Sequence, residues 1–270
     1  MAKLRQQGVS NVKGTYATPP LLANGRIDNS KLIKELKELN ANTYNWLIWR
    51  SEFDWEDLQL FLPLAKKNNI NVWVSLVPFS ESKPKADRSS EPFGTDYVLW
   101  AEEIAKLSLK FTNLTALSID DFVAWNLQFY TPDYTAEIVN RMHSVNPKLA
   151  FVPCIYYKST KITDYTQQYT QYFDAVLFPY KAESSGKETL SSYDTFSDEI
   201  VYMKKYFGNK LPVIVDIYST AHSKAGASSA DYVSQIISLS KELGDGVFIY
   251  THPNPDTVPD KYEAIKNGFK

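Results

Sequence analysis

The chain has 270 residues, 44% of them apolar, and sets 29 basic against 31 acidic side chains for a net charge of −2. That length and apolar content suffice for one α/β barrel without a second domain. A charge spread with no block of either sign gives no footprint for nucleic acid or for an anionic membrane.

Residues 1–11 carry no apolar stretch of signal-peptide length and read as an N-terminal tail. No later run approaches the roughly 18 apolar residues of a membrane span. The expectation is a soluble protein, cytoplasmic or secreted with its leader removed. The barrel proper is expected over 12–270. Its first strand is 12–18 (VKGTYAT), followed by a helix over 28–40 with Leu32, Ile33, Leu36 and Leu39 on one stripe. Strand 43–49 leads into helix 54–69, strand 71–78 into helix 96–110, and strand 114–120 into helix 133–145. Strand 149–157 precedes a short helical stretch at 164–173, strand 174–180 a helix within 190–207, strand 212–218 a helix at 230–243, and strand 246–252 a final short helix at 260–269. The strands are rich in β-branched and aromatic residues. Several helices open on Asp before an apolar residue, which suits an N-cap or a first-turn acid. Eight βα cycles without a long linker predict a single-domain (β/α)8 TIM barrel. A doubly wound open sheet fits less well, because no Gly-rich phosphate turn follows the first strand.

Barrel chemistry sits at the C-terminal ends of the strands. Those ends offer Tyr16 and Thr18, Trp49 and Arg50, Ser75, Asp120 and Asp121, Tyr156 and Tyr157, Tyr180 and Lys181, Asp216 and Tyr218, and Tyr250 and His252. The longest connection, 79–95, would overhang the same mouth, and long loops in compact barrels are usually functional or mobile. In strand four, alternation puts Ala116, Ser118 and Asp120 on one face and Leu117, Ile119 and Asp121 on the other. The small residues suit the barrel interior, so Asp120 points into the mouth while Asp121 lies where the strand breaks. Two adjacent carboxylates cannot both ionise freely, which leaves one of them an acid near neutral pH. Only one of Tyr156 and Tyr157 can face inward, and spacing does not say which. Trp125, just past the acids, is positioned for stacking on a sugar ring. Asp216 is expected to accept hydrogen bonds from substrate hydroxyls as an ionised carboxylate.

The stretches KGTYATPP, LIKELKELNANTYNW, LTALSIDDF, FVPCIYY and PVIVDIY, in that order, resemble glycoside hydrolase family 84, the O-GlcNAcase and bacterial hexosaminidase barrels. The adjacent Asp pair followed by a bulky apolar residue is the most specific element. The resemblance implies a retaining, substrate-assisted hydrolysis of an N-acetylhexosaminide or related glycan. In it Asp120 orients the substrate's 2-acetamido group, whose carbonyl oxygen attacks the anomeric carbon, and Asp121 protonates the leaving oxygen. Tyr16, Arg50, Trp125, Tyr157, Tyr180, Lys181, Asp216, Tyr218, Tyr250 and His252 are the expected sugar contacts. The pattern departs from the family at three places. Arg50 stands about where the family has a Lys, Ile217 where it has an Asn, and Gly14-Thr15-Tyr16-Ala17 replaces a Gly-Tyr-Gly turn.

Other chemistries fit poorly. His143, His222 and His252 are the only histidines, no His-x-His pair exists, and the lone Cys154 permits neither an internal disulfide nor a thiolate cluster, so neither metal nor cofactor is expected. No Gly-x-Ser-x-Gly elbow appears. The remaining alternative is a carbohydrate-binding or scaffold barrel without turnover.

Overall fold

A computed structural model describes all 270 residues. Eight parallel strands form the barrel: β1 (Val12–Tyr16), β2 (Thr43–Ile48), β3 (Asn71–Leu76), β4 (Leu114–Ile119), β5 (Ala150–Pro153), β6 (Val176–Pro179), β7 (Val213–Tyr218) and β8 (Gly246–Tyr250). Ladder pairing runs unbroken from β5 back through β1 to β8, β7 and β6. The seam between β5 and β6 is closed by fewer bonds, Asp174 N–H to the Phe151 carbonyl at 3.0 Å and Ile155 N–H to the Leu177 carbonyl at 2.9 Å. The chain is a (β/α)8 TIM barrel.

Around it lie α1 (Ala2–Val9), α2 (Asn29–Glu38), α3 (Asp54–Lys67), α4 (Tyr97–Lys110), α5 (Pro132–Val145), α6 (Tyr157–Ile162), α7 (Tyr165–Gln168), α8 (Phe196–Tyr206), α9 (Ala230–Leu243) and α10 (Pro259–Gly268). The capping signals work in both ways foreseen. Asp28, Asp96 and Asp164 accept a backbone N–H as N-caps, whereas Asp133, Asp231 and Asp260 sit in first turns. No helix is long and apolar enough to cross a membrane.

Several strands end a residue or more short of their expected bounds, and two differences are larger. The segment read as an N-terminal tail contains α1, whose Val9 is buried with the barrel interior and whose Arg5 pairs with Asp174 at 2.8 Å. Eight residues show too little apolar periodicity for sequence reading to pick out such a helix; tertiary contacts hold it. Strand five is shorter than 149–157, because Pro153 has no N–H for a ladder and only an isolated bridge, Cys154 to Leu177, follows it.

A large apolar layer packs between strands and helices, and a small one fills the barrel. In β4, Ala116 joins the interior cluster while Leu117 and Ile119 join the outer one, the alternation expected from side-chain size. Trp73 and Phe248 fill the middle of the barrel with ring centroids 4.8 Å apart. They fit because Gly14 faces them. A Cβ at position 14 would stand 2.6 Å from the Thr43 carbonyl oxygen and would overlap the Phe248 ring. Gly14→Ala is therefore expected to destabilise the protein by roughly 1–3 kcal/mol through overpacking, measured as a lowered midpoint in urea with an unchanged slope.

Candidate active site

The mouth at the C-terminal ends of the strands is built outward from β4. The Asp120 amide still bonds to the Leu76 carbonyl at 2.9 Å, so the strand is regular to that residue. Asp121 then adopts a left-handed backbone with φ of 42°. Asp is among the residues that tolerate this region. Its amide donates to Asp120 Oδ1 at 2.9 Å, and Asn126 Nδ2 donates to its carbonyl at 3.0 Å. In a continued strand Asp121 would face the helix layer. The left-handed turn breaks that alternation, and both carboxyl groups end at the mouth.

Their surroundings differ. Burial raises the Asp120 carboxyl well above the ordinary range, and the negative charges of Asp121 and Glu81 raise it further; the Asp121 amide and the Cys154 thiol oppose this only in part. Burial also raises Asp121, but the Tyr156 hydroxyl, the Lys181 ammonium and His222 all favour its anion. Both carboxyls are thus held above the ordinary range, and at Asp121 the hydroxyl and cationic neighbours offset part of the rise.

Across the mouth, Asp216 on β7 is fully buried and its Oδ2 accepts the Tyr16 hydroxyl at 2.6 Å, while Oδ1 has no partner. Burial pushes its pKa up to about 7, against the stabilising Tyr16 bond, the Ile217 amide and Lys181. The expectation of a simply ionised Asp216 is therefore revised: near neutral pH the group stands between its two forms. Tyr16, Tyr218, Tyr250 and His222 make an aromatic wall, with centroids 5.1 Å apart for Tyr16 and Tyr250, 5.4 Å for Tyr218 and Tyr250, and 4.4 Å for Tyr218 and His222.

Of the expected contacts, Asp120, Asp121, Tyr16, Lys181, Asp216, Tyr218 and Tyr250 come together here. Others do not. Tyr156 is the inward member of its pair, packed on the barrel interior, whereas Tyr157 turns outward against Tyr202 at 5.0 Å. Tyr180 is buried against Phe196 and donates toward the Ser192 carbonyl at 3.3 Å, in the helix layer. Arg50 reaches the Gly25 carbonyl, and its amide is fixed by Asp54 at 2.7 Å. His252 is enclosed between barrel and α2, with Nδ1 2.7 Å from Thr15 Oγ1 and Nε2 2.9 Å from Glu35 Oε2. Strand-end position alone placed these residues at the mouth, and the direction of each side chain removes them. Trp125 is 57% exposed beyond the acids.

Three contributors were not expected: Glu81, Arg88 and His222. Glu81 and Arg88 come from the 79–95 loop, which is tied down where Lys85 lies over the stacked rings of Phe79 and Phe129, 4.6 and 4.1 Å from their centroids. The Ser89 amide bonds the Trp49 carbonyl at 2.9 Å, and Arg88 stacks 4.2 Å over the Trp49 ring. The length of the loop was the only signal in the sequence; which of its charges turn inward was not encoded locally. A hollow at the opposite end of β1 and β8, lined by Asn11, Lys13, Ser240 and Phe269, contains one carboxylate, Asp245, already bonded to the Val213 amide and to Lys204. Paired acids occur only at the mouth among these two places.

No protein-family model and no curated protein matches the sequence. Solved structures do resemble it. An endoglucanase superposes with a TM-score of 0.71 at 14% identity, over 98% of this chain and 99% of that one. A family GH113 β-1,4-mannanase gives 0.66 at 11%, covering 97% and 99%. A glycoside hydrolase family 18 N-acetylglucosaminidase from Paenibacillus barengoltzii gives 0.60 at 10%, covering 96% and 99%. The likeness is one of fold. These structural neighbours are glycoside hydrolases, and each spans nearly the whole chain.

The Tyr16 bond favours the charged form of Asp216, so Tyr16→Phe is expected to move the Asp216 midpoint upward from about 7. The sign for stability follows. A carboxyl held above its unfolded pKa contributes stability that is complete at low pH and lost as pH rises through about 7. The variant should shift that loss to higher pH. Carboxyl ¹³C NMR across a pH titration, with Asp216→Asn to assign the resonance, measures both the midpoint and its direction.

Proposed function

We propose that this chain is a glycosidase acting on an N-acetylhexosaminide or a related glycan bound in the mouth of the barrel, with retention of configuration. The observation that carries this reading is the adjacent pair Asp120 and Asp121, with the left-handed turn at Asp121 between them and unequal neighbours around the two carboxyls. Two neighbouring carboxyls in unequal surroundings suit acid–base catalysis at one glycosidic bond. The glycoside hydrolase neighbours in structure support the general activity, and the resemblance to family 84 supports the amino-sugar substrate.

Neighbouring residues on one strand end approach a sugar from one side, so neither carboxylate is placed to attack from the opposite face. The substrate's own acetamido oxygen fills that role. It attacks the anomeric carbon as the glycosidic C–O bond breaks, and the leaving oxygen takes the proton from a carboxylic acid of the pair. The other carboxylate accepts the amide N–H and stabilises the positive charge of the cyclic intermediate. Water then opens that intermediate, giving its proton back to the first carboxylate.

The family resemblance supports the orienting part for Asp120 and the donor's part for Asp121. Tyr250, partly exposed at the mouth, and Trp125, an exposed platform, offer ring faces to the sugar.

Asp121→Asn is expected to lose about 10²- to 10⁴-fold in kcat/KM on aryl N-acetylglucosaminides with poor leaving groups and little on activated ones. Asp120→Asn should slow the whole series, because the attack step depends on it. Rates for both variants against leaving-group pKa distinguish the cases. The opposite pattern would exchange the two roles. Losses of only a few-fold in both would leave a carbohydrate-binding barrel.

A further inference from the structure

β1 ends in an unusual backbone. Ala17 and Thr18, the two residues after Tyr16, both take left-handed conformations, with φ of 58° and 38°. Neither is a glycine, and a β-branched residue such as Thr18 rarely enters that region. A bend of this kind persists only where its surroundings hold it. One residue supplies much of the hold. The His252 amide donates to the Tyr16 carbonyl at 2.8 Å and, at 3.4 Å, to the Ala17 carbonyl, while its ring Nδ1 lies 2.7 Å from Thr15 Oγ1. Three consecutive residues at the end of β1 are thus tied to His252. Its Nε2 donates to Glu35 Oε2 at 2.9 Å. Glu35 lies on the buried stripe of α2 with Leu32 and Leu36, where a carboxylate is costly unless paired. Its other ion-pair contact, Lys31, stands farther off at 3.8 Å. The Tyr44 ring flanks the imidazole edge-on, with centroids 6.2 Å apart.

We infer that His252 is a positioning residue for Tyr16: braced by Glu35, it fixes the bent end of β1 and so holds the Tyr16 hydroxyl on Asp216. The inference deepens the glycosidase reading and rests on it for its catalytic meaning. Thr15 and Tyr16 point to opposite sides of β1. Thr15 meets His252 on the helix side, and Tyr16 turns into the barrel, where its hydroxyl is the side-chain donor to Asp216 at 2.6 Å. The other carboxylate oxygen of Asp216 is without a partner, so the placement of one phenol decides how that buried acid is satisfied. A histidine that only filled space would need neither the carboxylate behind it nor the hydroxyl in front. The three groups form a continuous polar chain from α2 to β1 through an otherwise apolar layer, and that chain ends one residue from Tyr16.

The test is a titration of the full chain labelled with ¹³C at the aspartate carboxyl carbons, with the Asp216 resonance assigned by its loss in Asp216→Asn. The Tyr16 bond favours the Asp216 anion, so displacing that hydroxyl moves the midpoint upward from about 7. His252→Leu should raise it by about one pH unit, the ordinary effect of losing a hydrogen bond to a charged group. Thr15→Val removes a single hydroxyl at nearly unchanged shape, should shift the midpoint the same way, and gives the reading if the leucine variant folds poorly. Thr15→Ser should hold the native value. Both shifts are then measured again in Tyr16→Phe, where the hydroxyl is already gone and no further rise is expected. A midpoint that stays native in His252→Leu and Thr15→Val overturns the inference. So does a rise of equal size with and without the Tyr16 hydroxyl, which would mark a general loosening of the site. The readout requires no substrate, so the two ideas fail separately. A shift that passes through Tyr16 in a chain that cleaves no aryl glycoside would sink the glycosidase reading and leave the positioning role standing.

Discussion

Two carboxyl groups on consecutive residues at the rim of an apolar barrel set the terms for everything around them. At about 4 Å and an effective dielectric of about 20, two like charges repel by about 4 kcal/mol, so a site that buries both must split them. The protein does so with unequal neighbours. Asp120 is left among acids and a thiol, and Asp121 is given Tyr156, Lys181 and His222. The left-handed backbone at Asp121 is the local cost of bringing the second carboxyl to the same side as the first.

The barrel beneath makes this costly arrangement tolerable. Its interior is filled by apolar side chains, the rings of Trp73 and Phe248 among them, with Gly14 providing the room. That cluster includes Tyr16 and Cys154, which lie against Asp216 and Asp120. Burial so near the apolar layer is what raises all three acids, and the hydroxyl of Tyr16 is the main compensation for Asp216. The high aromatic content divides accordingly. Most rings, among them Tyr44, Tyr130, Tyr180 and Tyr232, pack in the outer layer, and a smaller group of tyrosines lines the site.

The loop after β3 adds a second layer of control. Its base is anchored by Lys85 over two stacked phenylalanines and by the Ser89 amide, which fixes where Glu81 and Arg88 stand. Glu81 adds negative charge to Asp120, and Arg88 moderates Glu81. The ionisation of Asp120 therefore depends on a loop as well as on its own strand, and Lys181, at the end of β6, favours the Asp121 anion.

The sequence by itself determined the repeating βα order, the inward face of β4, the capping aspartates and the strand-end acids, because each follows from short-range periodicity or from a residue's own preference. Asp120, Asp121 and Asp216 were legible for that reason: a carboxylate closing an apolar strand is unusual wherever the strand lies. The tertiary structure decided what periodicity does not carry. It chose Tyr156 over Tyr157, turned Tyr180 and His252 into the packing between barrel and helices, kept Arg50 on the Gly25 carbonyl, and brought in Glu81, Arg88 and His222 from loops. It also decided the electrostatic surroundings of the two acids, which come from residues just after β5 and β6 and from two loops. Electrostatic energy follows distance through space, and only the closed barrel sets those distances.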